Sequence, residues 1–130
     1  MKNKKKLIVF LSCWLMMTAG LPSIAQEVAS PKQEKAALKK AKKIRKVLIR
    51  GADFASLAAK HSDDPVSAQM GGELGFVSRG QLVSEYEKAV DDLEPGQLSE
   101  PVRTQFGFHL IELIERKEGQ TNTRHILIKP

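Results

Sequence analysis

The 130-residue chain has one cysteine, one tryptophan, one tyrosine and three histidines. Cys13 and Trp14 both fall in an apolar N-terminal stretch, so the rest of the chain carries no thiol. That excludes a disulfide staple, a cysteine nucleophile and a thiolate metal site from the body of the protein. His61, His109 and His125 lack metal-ligand spacing. The glycines around Gly71 to Gly80 follow neither a Walker nor a dinucleotide pattern, which argues against phosphate binding. There is no internal repeat and no low-complexity tract. The apolar run Leu7 to Met17 is shorter than the roughly 20 residues of a bilayer span.

What the N-terminus does contain reads as a targeting segment. Lys2, Lys4, Lys5 and Lys6 form a positive region ahead of that apolar run, and Ser23-Ile24-Ala25 is a small-residue cleavage site. Residues 1–25 are therefore expected to be a signal peptide, with Cys13 fitting a lipobox poorly. The remaining 105 residues (130 less 25) suffice for one small domain, 26–130, periplasmic or secreted, with no stable membrane span after cleavage. The formal charge of +6 falls with the four lysines to 17 basic against 15 acidic residues, or +2, which gives no sign of a nucleic-acid partner. The charge is segregated: Lys32 to Arg50 holds nine basic residues and one acid, Glu34, whereas Gly51 onward holds 8 basic and 13 acidic. The basic face reads as a solvated helix face.

Periodicity predicts the elements. Ala37, Ala41, Ile44 and Leu48 form one apolar helical stripe that Gly51 terminates. Asp53 can cap a second helix over Phe54 to Lys60. Ser62 to Met70 is a polar loop broken by Pro65, Leu74 to Val77 a strand, and Leu82 to Val90 a third helix. Pro101-Val102 suits an edge strand. Phe106 to Ile114 is apolar at both odd and even positions and should be a central strand, covered on both faces. Helices packed on a small antiparallel sheet make an α+β domain. His61, at a helix exit, is expected at the surface.

Six blocks stand in order between Gly51 and Leu113: GADFASLA, HSDDPVSA, GGELGF, SRGQLV, EPGQLSEPV and TQFGFH. At this spacing the segment resembles the parvulin-type peptidyl-prolyl cis/trans isomerases of the secreted, SurA-like kind, over about half the chain. The resemblance implies an FKBP-like fold, no cofactor and no metal, and unfolded or extended proline-containing polypeptides as partners. It implies an isomerase assisting the folding of exported proteins; the alternative is a non-catalytic chaperone module that binds extended segments. It places Leu74, Leu82 and Tyr86 in the proline cup, with Phe106 closing the groove. Asp64 falls where some members have Cys and secreted ones Asp. Thr104 and His109 are the paired residues of TxxGxH, and His125 matches the first-strand histidine. Judged singly, Leu74, Leu82 and His109 read as core and Asp64 as a loop residue. As cup walls, Leu82 and Tyr86 should be partly exposed. The sequence does not speak to the oligomeric state.

One block is out of place. The family opens with a strand bearing a His-Ile/Leu-Leu motif, and here the only match, Arg124-His-Ile-Leu-Ile-Lys-Pro130, comes last. Residues 123–130 either begin a lost second domain or fold back into the vacant slot. If they fold back, pairing His109 with His125, Ile111 with Thr123 and Leu113 with Thr121 sets the two histidines on one face, with the turn near Lys117.

Overall fold

A computed structural model describes residues 28–130; the expected signal peptide lies outside the described residues. Helix α1, Pro31–Ile49, begins with a capping box in which Ser30 and Gln33 exchange hydrogen bonds, with Pro31 at its first position. Asp53 accepts the Ser56 N–H at the head of α2, Phe54–His61. His61 is half-buried at its exit rather than fully at the surface. The polar loop contains one turn of helix, α3, Pro65–Ala68. Helix α4 runs Ser84–Asp91 and so starts two residues later than its apolar pattern predicts. The Glu87 carboxylate explains the delay: it accepts the Gly80 N–H at 2.6 Å and so holds the bends at Gln81 and Leu82 across the head of the helix.

Strands β1 (Glu73–Ser78), β2 (Val102–Thr104), β3 (Gly107–Lys117) and β4 (Gln120–Ile128) form one antiparallel sheet in the order β1-β4-β3-β2. The two long strands are central. Their even-numbered residues, Phe108, Leu110, Ile126 and Ile128, pack against Ala37, Ala41 and Ile44 of α1 and Phe54 and Ala58 of α2. On the opposite face Ile111 and Leu113 pack with Tyr86 and Val90 of α4 and with Leu93. Each large side chain buried in these two layers is worth about 1.5–3 kcal/mol.

β4 pairs with β3 in a register two residues from the expected one. His109 stands opposite Leu127, and Ile111 opposite His125. The reason lies at the hairpin tip. Lys117 pairs with Gln120, so the turn is Glu118-Gly119, both with positive φ (51° and 77°), as a two-residue turn between right-twisted strands requires. That turn alone would pair His109 with Ile128 and send His125 to the even face. The register shifts once more between Leu113 and Glu115, where Ile114 is an extra, unpaired residue. The bulge restores the parity, and both histidines lie on the odd face, as diagonal rather than direct neighbours.

The outer edge of β4 changes partner midway. Residues 120–124 pair with β1. Beyond them Gly72 O accepts the His125 N–H at 2.8 Å, Ser62 Oγ the Leu127 N–H at 3.1 Å, and Leu127 O the Asp63 N–H at 2.7 Å. Gly72, at φ 85°, is irreplaceable in this splice: a Cβ there would stand 2.6 Å from His125 O and 2.9 Å from the Phe54 ring. The α2–α3 segment is thereby fastened along β4, which brings Asp64 and Ser67 to His125.

Candidate active site

On the odd face a cavity of about 480 Å³ opens between α4, the α2–α3 connection and the β2–β3 turn. Asp64, Leu74, Leu82, Tyr86, Phe106, His109 and His125 all line it, together with Asp63, Pro65, Gln81, Val83, Leu127 and Lys129. Of the residues named from sequence only Thr104 is not on the wall; it lies buried behind His109.

The polar groups form one chain. Thr104 Oγ1 lies 2.7 Å from His109 Nε2, the two Nδ1 atoms of His109 and His125 are 3.0 Å apart, and His125 Nε2 lies 2.8 Å from Asp64 Oδ2. The imidazole planes are within 17° with centroids 5.2 Å apart. With the nitrogens this close, that is an edge-to-edge hydrogen-bonded pair and not a face stack. Ser67 Oγ sits 2.6 Å from the same Asp64 oxygen and 3.1 Å from His125 Nε2.

The carboxylate sets the direction of every proton. Burial pushes Asp64 up, but the hydrogen bonds from Ser67 and His125 outweigh it, so its carboxyl is held below the usual range. An ionised Asp64 only accepts, so the Ser67 hydroxyl and His125 Nε2–H donate to it. His125 Nδ1 is then bare and accepts from His109 Nδ1–H. His109 Nε2 is bare in turn and accepts from the Thr104 hydroxyl, whose oxygen takes the Phe106 N–H at 3.2 Å. Both histidines are therefore neutral. Burial, then the neighbouring His125, push His109 down to about 4. Burial also lowers His125, against the opposing pull of Asp64.

Tyr86 builds the floor. Its ring stands edge-on to both imidazoles, at centroid distances of 5.4 Å from His109 and 5.8 Å from His125. Its hydroxyl meets Thr123 Oγ1 at 2.8 Å. Arg116 fixes the far end of α4 by donating to Val90 O at 2.7 Å and Leu93 O at 2.9 Å. Tyr86 is only 2% exposed, which corrects the expectation of a partly exposed wall: it is core and floor at once. Leu82 lies in the stretch leading into α4 rather than on the helix and is half-buried, as are Leu74 and Asp64. Phe106, 49% exposed at the β2–β3 turn, overhangs the groove. Sequence reasoning missed Ser67 and Thr123. Ser67 stands in the block HSDDPVSA, three residues after Asp64, the spacing at which a short helix brings two side chains together. Among the described residues no group of three or more His, Cys, Asp or Glu side chains is placed to hold a metal ion.

The cavity is thus an apolar trough backed by neutral, mutually hydrogen-bonded imidazoles. The comparisons name its family. Residues 21–115 match the rotamase family, the PPIC-type PPIase domain, and the chain belongs to that family. It is 43% identical over 94 residues to a protein named Chaperone SurA from Nitrosococcus oceani, covering 72% of this chain and 21% of that one. It is 50% identical over 80 residues to Foldase protein PrsA 4 of Bacillus cereus, covering 62% and 29%. Among solved structures it is similar to the peptidylprolyl isomerase PrsA of Bacillus anthracis, with TM-score 0.61 and 36% identity over 72% of this chain and 39% of that one. The chain thus spans about a fifth to two fifths of the length of these relatives. The fold is the α+β parvulin fold. The matched residues stop short of β4, which carries His125.

Proposed function

We propose that the chain catalyses cis/trans isomerisation of X–Pro bonds in unfolded or extended polypeptides and so assists the folding of exported proteins. The observation that carries this reading is the juxtaposition of an apolar cup with a neutral histidine pair. Rotation about X–Pro faces a barrier of about 18–20 kcal/mol because the amide loses resonance as it twists. The twisted amide is less dipolar than the planar one, so a weakly polar surround favours it. Leu74, Leu82 and Tyr86 receive the pyrrolidine ring, and Phe106 folds over it. The bare edges of the imidazoles already have partners, so neither ring presents a charge to the amide. Gln81 and Lys129 are donors at the rim for a substrate carbonyl. Thr104, Asp64 and Ser67 act as positioning residues that hold the imidazoles neutral and oriented. No bond to the substrate forms in this scheme.

In this reading residues 26–130 are one domain, with β4 an integral strand, acting in the periplasm or outside the cell after removal of 1–25. The leader pattern and the similarity to proteins named chaperone and foldase support that location. Among the described residues no helix is long and apolar enough to cross a membrane.

The test is a proline-isomerisation assay on short X–Pro peptides. Turnover is expected without added metal or nucleotide and undiminished after EDTA and dialysis. A strict metal requirement would overturn the mechanism. Peptide binding without turnover would make the chain a holding chaperone.

A further inference from the structure

Helix α1 turns a continuous line of cations away from the molecule. Its buried face is Ala37, Ala41 and Ile44. At about 100° per residue, Lys32, Lys35, Lys39, Lys42, Lys43 and Lys46 fall within an arc of about 100° directly opposite, and Arg50 at the C-cap continues the line. All seven are exposed. The other charged side chains of the helix that face the body are already used. Glu34 pairs with Arg103, while Arg45 pairs with Glu100 at 3.1 Å and donates to Ser99 O at 2.8 Å. Among the described residues no lysine of α1 lies within ion-pair distance of a carboxylate. The stripe is about 28 Å long, from a helix of 19 residues.

We propose that this stripe seats the domain on an anionic phospholipid surface, with the polypeptide groove facing away from the lipid. Three observations favour a bilayer over an acidic polypeptide. The cations lie along the outer face of a single helix, which by itself forms no cleft for a particular chain. Six of the seven are lysines, hydrated point charges that suit a delocalised anionic surface, and not the planar forks that grip single carboxylates. Exposed apolar side chains flank the line at its C-terminal end, Val47 on one side and Ile49 on the other at 39% and 60% exposure; these can enter the headgroup layer. The orientation follows from the sheet. α1 packs on the even face, whereas His109, His125 and Leu127 open on the odd face. A domain resting on α1 therefore presents its groove to polypeptide arriving from solution.

The chain without its leader, residues 26–130, is mixed with vesicles of phosphatidylglycerol in phosphatidylcholine, or of phosphatidylcholine alone, and bound protein is separated by flotation. Expected is binding to the phosphatidylglycerol vesicles only, weakening as salt rises. Each lysine near such a surface contributes about fivefold. The variant K35Q/K39Q/K42Q/K46Q, which keeps side-chain length and helix propensity, should then bind roughly 600-fold more weakly. Spin-labelled lipid should broaden the amide signals of Lys32 to Arg50 and spare those of Leu74, Phe106 and His109. Equal binding of variant and parent, no preference for phosphatidylglycerol, or broadening centred away from α1 would each overturn the proposal. So would capture of polyglutamate with vesicles left unbound, which would assign the stripe to an acidic polypeptide. None of these readouts depends on isomerase turnover.

Discussion

The two faces of the β3–β4 hairpin are built from alternate residues of the same two strands and do opposite things. The even face presents Phe108, Leu110, Ile126 and Ile128 to α1 and α2; its polar side chains, Arg124 over the Phe54 ring and Asn122 bonded to Glu73, lie nearer the hairpin tip. The odd face also buries Ile111 and Leu113, but it spends its other positions on His109, Thr123 and His125, each 5% exposed or less. A buried polar group costs stability unless it finds a partner. Here each one has a partner, and the last in the chain, Asp64, comes from outside the sheet. The comparison separates what holds the domain together from what the domain holds in place. It also shows what separates them physically: a single bulge at Ile114 decides which residues belong to which face.

The severest test of that comparison is deletion of Arg124, one residue of β4 beyond the bulge. With the Glu118-Gly119 turn and the bulge kept, the deletion would place His125 opposite Glu112 on the even face and Ile126 and Ile128 on the odd one. The chain would then have to bury His125 against Phe54 and Ala58 or close the bulge. Loss of cooperative unfolding, read by circular dichroism against temperature, is the expected result. Ile114→Ala, in contrast, keeps the bulge and removes only a half-exposed side chain (38%), so it should unfold within a degree or two of the parent. If the deletion variant folds and keeps its histidine pair, the register does not set the faces.

Next in size is truncation within one face. Leu110 is 0% exposed in the even layer, and Leu110→Ala should cost about 2–5 kcal/mol by denaturant titration. Turnover per folded molecule should be unchanged, because the site face keeps all its partners. Tyr86→Ala belongs to the other face and should lose both: about 3–5 kcal/mol of stability and most peptide binding. Equal loss of binding from Leu110→Ala would mean that the two layers are not separable.

These two layers were largely legible from the chain, and the reasons are particular. Between Phe108 and Leu113 the only polar residues are His109 and Glu112, one on each face, so both faces of β3 had to be covered. Asp53 and Gly51 mark the junction of the first two helices because a cap and a left-handed residue (φ 100° at Gly51) have few substitutes. Asp64, His109 and His125 converge on one network with Thr104, and the four apolar wall residues line one cavity. The register was not legible. Ile114 reads as one more apolar strand residue, and nothing local says that it is skipped. The start of α4 was missed for a different reason: Leu82 and Val83 fit its apolar spacing, but the Glu87 carboxylate takes the Gly80 and Leu82 N–H groups and holds this stretch out of the helix. Ser67 went unassigned because its role needs His125, 58 residues away.

pH sharpens the comparison because both histidines of the sheet lie on the odd face. His109 is held at about 4 when folded but returns to about 6.5 when unfolded. Between those values the unfolded chain binds more protons than the folded one, so stability falls as pH is lowered from about 6.5 towards 4. His109 alone accounts for a loss on the order of 3 kcal/mol across that window. His125, also lowered, adds to it in the same direction. Asp64, held below its ordinary value, contributes stability that is lost only at still lower pH, as its carboxylate protonates. The H109N variant should show a flatter profile between pH 6.5 and 4. A parent profile with no slope there would mean that the imidazoles are charged in the folded state and that the direction of the proton chain is wrong.

The smallest effect on stability, and the most selective effect on binding, should come from Phe106→Ala. Phe106 overhangs the cavity from the two-residue β2–β3 turn and is half exposed, so truncation removes little buried area; a stability change within about 0.5 kcal/mol is expected. Its backbone N–H still reaches Thr104 Oγ1, so the polar chain behind the groove is undisturbed. What is lost is the apolar cover over a bound proline ring, a contact made in the ground and twisted states alike. Interactions shared by both states act on KM and leave kcat nearly unchanged. Several-fold weaker KM with kcat within a factor of about two is therefore the expected split. Thr104→Val is the counterpart: it leaves the cup intact but deprives His109 Nε2 of its donor, and it should act on kcat. If Phe106→Ala instead lowers kcat and leaves KM alone, the ring contributes to the twisted state itself, and the division of labour between an apolar cover and a polar floor does not hold.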